Sequence, residues 1–423
     1  MSSRVVIVGA GFGGLRTALA LAKHGAYEVV LVEKNSTHVY TPWLYEVASG
    51  RTDSVPHGNA NTLQHSAGLS LAKILHGSGV QLRHATVARV DATHRHVVFD
   101  DGNTLAYDAL VVAVGSQVSY FGISGLQEYS LPLKTLDDAA RIRNCVAQAM
   151  THAAQRDVNI VIGGGGPSGV ELVAELAIMV RAREQRGTLP RNRVHFTLVD
   201  AASRVLSMCR PSVSRKAEER LRALGVRVLS NTMVTKLAQN MVSIASKPGS
   251  APSGSPIAGG EPRTLSCHCM VWCGGVAPSA LTAVLDMPKD ARGRIQIDAT
   301  GEVVGHANVF ALGDVATYAD AKAPPLPQTA QTADAVAEHI ARNVVAALAR
   351  KKLASYVQPK SWPFVITVGG RWGVAEIAGF VITGFVGYAI RRAADLRYLS
   401  RILPLLAAVR VWRSRMKLYA KND

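Results

Sequence analysis

Residues 4–14 read R-V-V-I-V-G-A-G-F-G-G, and this stretch decides the fold. Its first part, residues 4–8, is an apolar β-branched run of the kind that forms a buried parallel strand. Residues 15–23 consist mostly of good helix formers. The glycines between strand and helix have the spacing G-x-G-x-x-G and are Gly9, Gly11 and Gly14. They allow a tight turn, the approach of a pyrophosphate and close helix–strand packing, so the stretch predicts a dinucleotide site at a helix N-terminus.

A carboxylate completes this first unit. The run E-V-V-L-V at residues 28–32 predicts a second strand, and it ends in Glu33, about 20 residues beyond the glycines. A carboxylate at that position accepts hydrogen bonds from the hydroxyl groups of a ribose. Strand, glycine turn, helix and acid together predict dinucleotide binding.

The same unit recurs 155 residues later. Residues 158–162 (V-N-I-V-I) predict a buried strand, and a strand at residues 194–199 ends at Asp200. The glycines that repeat the spacing ahead of a helical run are Gly164, Gly166 and Gly169. Two complete units imply two dinucleotides, and electron transfer between them is the simplest use of both.

The second acid also bears on the choice of nucleotide. A 2′-phosphate would meet like charge at Asp200, which favours NADH over NADPH. Arg204 follows closely in the sequence and keeps NADPH open as the alternative.

Composition limits the class of protein. The 423 residues suffice for two or three domains with large cores. A net charge of +17 indicates a negatively charged partner, either nucleic acid or an anionic membrane surface. Five cysteines without a regular framework predict reduced thiols in a cytosolic setting. The irregular spacing of the cysteines between residues 267 and 273 favours packed thiols over a metal site, so we predict no metal.

Several segments lie outside the two units. Residues 37–50 contain clustered aromatics and Pro42, and we interpret them as a structured loop. Residues 51–68 are polar and rich in turn formers, which predicts mobility. Residues 247–262 are rich in Pro, Gly and Ser and predict a flexible hairpin extension between strand-like runs. Residues 105–115, 265–272 and 309–316 predict strands, and residues 328–348 predict an amphipathic helix.

The motifs resemble those of flavoproteins with two dinucleotide-binding domains, and within them the type II NADH dehydrogenases, which are single-subunit NADH:quinone oxidoreductases. The motifs are G-A-G-F-G-G at 9–14, T-P-W-L-Y-E-V-A-S-G at 41–50, G-G-G-P-S-G-V-E-L-V-A-E-L at 164–176, A-L-G-D-V-A at 311–316 and A-Q-T-A at 330–333. They cover most of residues 1–345. The first and fourth motifs are shared across the superfamily, whereas the second and fifth are much narrower.

The resemblance implies an α/β fold with two Rossmann-like dinucleotide-binding domains, one for FAD and one for NADH, plus a C-terminal helical region that associates with a membrane. The FAD domain would be discontinuous and comprise residues 1–118 and 295–345. The NADH domain would comprise residues 119–294, including the flexible hairpin insert 247–262. Residues 346–423 would form the membrane-associating region.

The resemblance also implies roles for individual residues. Val87 would hold the adenine through its backbone, and Asp314 would hold the ribityl chain. The full set implied for FAD is Gly9, Gly11, Gly13, Gly14, Glu33, Lys34, Val87, Gly115, Asp314 and Ala330. The set implied for NADH is Gly164, Gly166, Pro167, Ser168, Gly169, Asp200, Gly274 and Gly275.

Two residues are the candidates for catalysis. Glu171 matches a family carboxylate near the nicotinamide and the flavin, and Gln331 would lie by the flavin ring and face the quinone pocket. The family pattern often continues A-Q-x-A-x-Q, whereas Asp334 and Ala335 stand at the corresponding positions here.

The resemblance implies a non-proton-pumping respiratory enzyme that passes hydride from NADH to FAD and then two electrons to a membrane quinone. A reductase of a specialised biosynthetic quinone and a sulfide:quinone-type oxidoreductase are alternatives within the fold, although no cysteine follows Cys273. A disulfide reductase needs a cysteine pair in the first domain, and the first cysteine here is Cys145. A redox-sensing module that binds FAD and NADH is the non-enzyme alternative.

The C-terminal part indicates a membrane surface. The uncharged run at residues 377–390 has 14 residues, too few for a span of about 20, and it predicts a buried or interfacial segment. Residues 391–423 carry nine Arg and Lys against two Asp, with apolar residues at helical spacing. This high apolar content argues against nucleic acid as the partner. We therefore predict a peripheral protein on the cytoplasmic face of the cell membrane, bound to anionic lipid through residues 374–423, and leave a homodimer open.

Overall fold

The structure is a computed structural model, and it describes residues 2–50, 67–247 and 262–419. The helices are α1 Phe12–Ala22, α2 Leu44–Ser49, α3 Leu71–Leu75, α4 Leu126–Tyr129, α5 Leu136–His152, α6 Pro167–Gln185, α7 Pro211–Ala223, α8 Leu281–Val284, α9 Ala330–Leu348, α10 Phe385–Ile402 and α11 Leu405–Tyr419. Short 3₁₀ turns cover Thr41–Trp43 and Gly313–Val315.

The strands are short and are numbered in chain order. The first ten are β1 Arg4–Val8, β2 Glu28–Glu33, β3 Thr37–Val39, β4 Gly68–Ser70, β5 Val80–His84, β6 Val87–Asp91, β7 His96–Phe99, β8 Thr104–Ala106, β9 Ala109–Val112 and β10 Ser116–Val118. The next ten are β11 Leu131–Pro132, β12 Val158–Gly163, β13 Val194–Val199, β14 Val226–Leu229, β15 Thr232–Ala238, β16 Met241–Ser246, β17 Arg263–Ser266, β18 Cys269–Trp272, β19 Val276–Pro278 and β20 Ile295–Ile297. The last five are β21 Val309–Ala311, β22 Ala316–Tyr318, β23 Phe364–Thr367, β24 Gly373–Ile377 and β25 Phe380–Gly384.

Two five-stranded parallel sheets organise the structure. The first has the order β21-β9-β1-β2-β5, and the second has the order β11-β18-β12-β13-β14. The strands β1, β2 and β12 are buried almost throughout because their runs V-V-I-V, V-V-L-V and V-N-I-V-I are nearly all apolar. The predicted α/β fold with two Rossmann-like units is confirmed.

The strand before each glycine turn occupies the same place in its sheet. β1 lies between β2 and β9, and β12 lies between β13 and β18. From the central strand, β1 or β12, the chain passes to a neighbour on one side, β2 or β13. It later adds a strand on the other side, β9 or β18, and this reversal leaves a crevice at the carboxyl end of the central strand. Both glycine turns lie at such a point.

Residues 37–50 are more regular than predicted. They form β3, a 3₁₀ turn and α2, and the side chains of Trp43, Leu44 and Tyr45 are buried. Pro42 lies in the 3₁₀ turn, where its missing N–H costs no helical hydrogen bond. The loop interpretation was wrong because burial of the aromatic side chains, and not local propensity, determines this segment. The region predicted to be mobile, residues 51–68, lies mostly outside the described residues.

Three predicted strands divide in the structure. Residues 105–115 contribute to β8 and β9, and the run at residues 265–272 contributes to β17 and β18. Residues 309–316 form β21 and then the 3₁₀ turn Gly313–Val315. The predicted hairpin is present, since β16 pairs with β17 antiparallel, while residues 248–261 at its tip lie outside the described residues.

The C-terminal part is only partly helical. β23, β24 and β25 form an antiparallel sheet, and α10 and α11 follow it. The apolar run was predicted to be one buried or interfacial segment, but it turns back on itself at Ala378 and Gly379, where φ is +50° and +88°. Two successive residues with positive φ are characteristic of a tight hairpin turn. Within residues 2–50, 67–247 and 262–419, no helix combines the length and the apolarity that crossing a membrane requires.

Candidate functional site

The first glycine turn has room only where a ligand would lie. Gly9 has φ +100°, and a Cβ there would lie 2.5 Å from the carbonyl oxygen of Ala113. A Cβ at Gly14 would overlap the Gly9 carbonyl oxygen, and one at Gly13 would lie 2.8 Å from Leu312 Cδ1. Gly11, by contrast, faces open space. The turn therefore presents free backbone at the N-terminus of α1, which suits a pyrophosphate.

The first acid lies at the rim of this turn. Glu33 Oε2 accepts a hydrogen bond from the Ala10 N–H at 2.8 Å, and Oε1 accepts one from the Asn35 N–H at 3.0 Å. Lys34 is exposed beside it. Val87 begins β6 two residues after Ala85, whose N–H donates to the Glu33 carbonyl at 3.4 Å. The residues predicted for an adenosine group are therefore close together.

A second loop of the first sheet carries Asp314. Gly115 has φ +65° and leads into Ser116, whose hydroxyl donates to Asp314 Oδ2 at 2.6 Å. Lys134 Nζ donates to the same Ser116 oxygen at 2.8 Å. Burial lowers the pKa of Lys134, and the charge of Asp314 opposes this. The sequence reasoning missed Lys134, although it stands directly before the capping box of α5.

The second glycine turn repeats the construction of the first. Gly164 has φ +107°, and a Cβ there would lie 2.5 Å from the carbonyl oxygen of Cys273. A Cβ at Gly169 would overlap the Gly164 carbonyl oxygen, whereas Gly166 faces open space. Pro167 begins α6 and Ser168 is exposed in its first turn. The same backbone cradle is thus present twice.

The second acid binds the equivalent backbone N–H of its own glycine turn. Asp200 Oδ2 accepts a hydrogen bond from the Gly165 N–H, and Oδ1 accepts one from the Ala202 N–H at 2.6 Å. Burial raises the pKa of Asp200, and these two backbone hydrogen bonds oppose the shift. Arg204 donates through Nη2 to the carbonyls of Ser207 and Cys209 at 3.0 and 2.9 Å. Its guanidinium is therefore engaged by backbone oxygens beyond the acid.

Aromatic rings border the other side of the second turn. A Cβ at Gly275 would lie 2.5 Å from Phe121 Cζ, and one at Gly274 would overlap the ring of Trp272. Trp272 is fixed because its Nε1–H donates to the Ser119 carbonyl at 2.8 Å. Phe121, in contrast, is 65% exposed. The two glycines let the backbone pass close under these rings.

The structure separates the two candidate catalytic residues into different surroundings. Gln331 is exposed in the first turn of α9, next to Ala330. Glu171 on α6 is only 6% exposed, and its Oε1 has no hydrogen-bond partner although Arg391 Nε lies 3.7 Å away. Burial raises the pKa of Glu171 to about 8, and the charge of Arg391 opposes this rise.

Buried charges surround Glu171. Glu46 Oε1 lies 2.6 Å from Arg392 Nη2, and Glu46 Oε2 lies 2.8 Å from Arg415 Nη2. Burial disfavours the ionised form of Glu46, but the two arginines outweigh it and lower the pKa to about 2. The prediction that the arginines of residues 391–423 contact lipid is wrong for Arg391 and Arg415, which are 5% and 4% exposed.

Asp334, where the chain departs from the family pattern, belongs to a second buried ion cluster. Its carboxylate pairs with Arg16 Nε at 2.9 Å and with Arg401 Nη1. Arg16 also donates to the Arg401 carbonyl at 2.8 Å. These contacts join α1, α9 and α10 next to the first glycine turn.

Comparisons with known proteins agree with this arrangement. The profile of the family "pyridine nucleotide-disulphide oxidoreductase" matches residues 3–337. The chain is 30% identical over 436 residues to the type II NADH:quinone oxidoreductase NdhA of Mycobacterium tuberculosis, covering 97% of this chain and 86% of that protein. It is 29% identical over 403 residues to the demethylphylloquinone reductase NdbB of Synechocystis sp., covering 93% and 91%.

A solved structure shares the fold. The structure of NDH2 from Plasmodium falciparum in complex with NADH matches with a TM-score of 0.79 at 18% identity, over 99% of this chain and 97% of that chain. Family profile, sequence relatives and fold point in the same direction. The chain therefore belongs to the pyridine nucleotide-disulphide oxidoreductase family and, within it, to the type II NADH:quinone oxidoreductases.

Proposed function

We propose that this protein oxidises NADH and reduces a membrane quinone through bound FAD, without pumping protons. The observation that carries the proposal is the repeated cradle, a glycine turn with an acid bonded to its second backbone N–H, at Glu33 and again at Asp200. Two such cradles in one chain fit one dinucleotide as a resident cofactor and another as a substrate.

FAD would occupy the first cradle. The open space at Gly11 and the N-terminus of α1 suit its pyrophosphate, and Glu33 suits the adenosine ribose. Asp314 is oriented by Ser116 and would accept hydrogen bonds from the ribityl hydroxyls. When bound, FAD accepts a hydride and donates two electrons.

NADH would occupy the second cradle. Gly166 leaves the space for its pyrophosphate, and Asp200 would accept the ribose hydroxyls. The carboxylate would repel a 2′-phosphate, and the guanidinium of Arg204 is taken up by two carbonyls. Both features favour NADH over NADPH.

The chain's own contribution to the reaction is alignment and proton supply. Glycine turns and buried strands hold the two nucleotides in fixed positions, which lowers the entropic part of the barrier. Glu171 holds a proton in a buried site, and Gln331 would order polar groups beside the quinone.

We propose the domain division that the motifs implied. The first sheet draws its strands from residues 4–112 and 309–311, which supports a discontinuous FAD domain at 1–118 and 295–345. The second sheet draws its strands from residues 131–272, which supports an NADH domain at 119–294.

The C-terminal surface supports peripheral binding to an anionic membrane. Its exposed large apolar side chains are Phe380, Phe385, Val386, Leu405 and Leu406, and its exposed arginines include Arg397, Arg410 and Arg413. Apolar side chains inserted at the headgroup level, next to arginines, favour an interfacial position. Because NADH is cytosolic, we predict the cytoplasmic face. A homodimer stays a prediction that sedimentation velocity tests.

Stopped-flow mixing tests the proposed activity. Anaerobic NADH should bleach the flavin absorbance, and a short-chain quinone should restore it, with turnover in the enzyme range of about 1–10³ s⁻¹. Bleaching without recovery would contradict quinone reduction, and turnover far below about 1 s⁻¹ would favour the redox-sensing module. Similarity to a demethylphylloquinone reductase makes a biosynthetic quinone the second candidate substrate, and a comparison of rates between respiratory-type and demethylated quinones distinguishes the two.

A further inference from the structure

A cavity of about 400 Å³ lies beside the second sheet, away from both glycine turns. The end of α5, the start of β16 and the residues between β17 and β18 line it. One lining residue, His268, directly precedes β18, so the cavity lies at the amino end of that strand. The second glycine turn follows the carboxyl end of the parallel strand β12. The cavity is therefore separate from the nucleotide site, and its volume suits a small molecule.

The cavity has basic side chains, His152, Arg156 and His268, and none of the described residues that line it carries a carboxylate. His152 lies in the last turn of α5, where a basic group complements the negative end of the helix, but Arg156 and His268 lie outside that helix. Within the described part of the chain, the Arg156 guanidinium forms no ion pair, because the neighbouring Asp157 pairs with Arg193 at 2.9 Å. The cavity therefore presents an unpaired positive charge, which attracts an anion.

His268 contributes a hydrogen-bond donor to the cavity. Its Nδ1 accepts a hydrogen bond from the Asn159 N–H at 3.1 Å, so the proton of the neutral ring is on Nε2. No described residue accepts a hydrogen bond from this Nε2–H. Burial lowers the pKa of His268, and the charges of Arg156 and His152 lower it further, so the three basic side chains lie within Coulomb range of one another. A guanidinium and a free N–H together suit a carboxylate.

Cys145 on α5 brings a thiol to the same cavity. It is partly exposed, and its Sγ lies 3.9 Å from the His268 carbonyl oxygen. A hydrogen bond with the buried thiol of Cys269, the first residue of β18, lowers the pKa of Cys145, and burial opposes this. Burial raises the pKa to about 12 at the three remaining cysteines, which are Cys209, Cys267 and Cys273. Because the thiolate is the nucleophile, Cys145 is the most reactive of the five thiols.

We propose that Cys145 is a modification site for a low-molecular-weight disulfide that carries carboxylates, which the cavity binds through Arg156 and His268. The Cys145 thiolate attacks one sulfur of the ligand, so that a new S–S bond forms and the S–S bond of the ligand breaks. The other half of the ligand leaves as a thiolate and takes up a proton equivalent to the one that Cys145 released. The step uses neither the flavin nor the nicotinamide, so the inference stands apart from the proposed function.

The test follows adduct formation in the full-length flavoprotein by mass spectrometry. The probes are 3,3′-dithiodipropionate, a dianion, and cystamine, a dication, and each rate is divided by the rate of the same probe with 2-mercaptoethanol. The dianion should be preferred at least about tenfold, because positive charge in a cleft raises the local concentration of anions. The first adduct should map to Cys145 and be absent in Cys145→Ser. A first adduct at another cysteine, or equal normalised rates of the two probes, would overturn the proposal.

Two further variants separate binding from activation. Arg156→Gln should lose most of the preference for the dianion, whereas Arg215→Gln, the same change at an exposed arginine of α7, is the matched control and should keep it. Cys269→Ala should slow both probes to the same extent, and Cys269→Ser, which keeps a hydrogen-bond donor, should slow them less. Flavin absorbance and circular dichroism verify the fold of each variant. An unchanged preference in Arg156→Gln would overturn the role of the cavity, and unchanged rates in both Cys269 variants would overturn activation by the thiol pair.

Discussion

The two glycine turns are built alike but are covered differently. At the first turn, the Ala10 carbonyl lies 2.9 Å from His38 Nδ1, and His38 Nε2 lies 2.8 Å from the Tyr398 hydroxyl. Phe12 packs against the ring of Tyr398 with centroids 4.9 Å apart. Burial lowers the pKa of His38 to about 4, so the ring is neutral, Nδ1–H donates to Ala10, and Nε2 accepts from Tyr398.

At the second turn, the corresponding carbonyl of Gly165 accepts a hydrogen bond from the Leu206 N–H at 2.8 Å, so its cover comes from the segment that follows β13. Its neighbouring ring, Phe121, is largely exposed, and Trp272 is bonded to backbone instead of to a residue of the turn. We infer from this difference that the same cradle serves two purposes. Because elements remote in sequence contact the first turn, we expect the first site to hold a resident cofactor and the second to bind a nucleotide that leaves in each turnover.

The largest expected effect is selective loss of one nucleotide. Gly14→Val and Gly169→Val place side chains against the Gly9 and Gly164 carbonyls, so each should destroy its own cradle. Gly14→Val should yield protein without flavin absorbance. Gly169→Val should keep the flavin but lose bleaching by NADH. Each variant is the control for the other, and loss of flavin in both would contradict two separate sites.

The second-largest effect is expected from the ion cluster beside the first turn. Asp334→Asn removes the buried carboxylate shared by Arg16 and Arg401 and leaves Arg16 only the more exposed Glu338 as an ionic partner, and the expected loss is about 3–5 kcal/mol in the free energy of unfolding. Chemical denaturation followed by flavin release and by circular dichroism measures it. Glu338→Gln, which removes the more exposed partner of the same arginine, should cost at most about 1 kcal/mol. Equal losses would show that Asp334 is not a structural anchor.

The neutral ring of His38 predicts that the folded protein loses stability in acid. The pKa of His38 is about 4 in the folded state against an ordinary value of 6.5. The neutral ring therefore contributes fully to the free energy of unfolding above pH 6.5, and this contribution is lost as the pH falls toward 4. The loss should reach about 3 kcal/mol. His38→Asn should show a shallower pH dependence of unfolding over this range, and an identical slope would contradict a buried neutral ring.

The smallest effect is expected at the open site. Phe121→Ala removes an exposed ring beside Gly275, and a loss of about 1 kcal/mol should raise KM for NADH roughly fivefold. Flavin content and the quinone half-reaction should not change. A decrease in flavin content would contradict the assignment of Phe121 to the NADH site.

The sequence predicted the two units because their signals are local. A β-branched run, three glycines and an acid lie within residues 4–33 in the first unit and within residues 158–200 in the second, and each element folds as its own composition favours. Gly9 and Gly164 have the positive φ that the turns require. Recognition of the cradles therefore needed no tertiary information.

The buried arginines could not be predicted in this way. Arg415 and Glu46 are 369 positions apart, and Arg16 and Asp334 are 318 apart. A local pattern of basic and apolar residues fits a helix on lipid as well as a helix whose arginines reach inward. The hairpin turn at Ala378 and Gly379 was missed for the opposite reason, since one Gly inside an apolar run does not outweigh the run.

The most direct test of the two-site account is the nucleotide content of the protein after NADH has been added and removed. The purified protein is incubated with NADH without oxygen, passed through a desalting column and analysed for flavin and nicotinamide nucleotide. The account predicts FAD in equimolar amount with the chain and no retained nicotinamide nucleotide. Protein without flavin, or protein that retains both nucleotides, would contradict one closed and one open site.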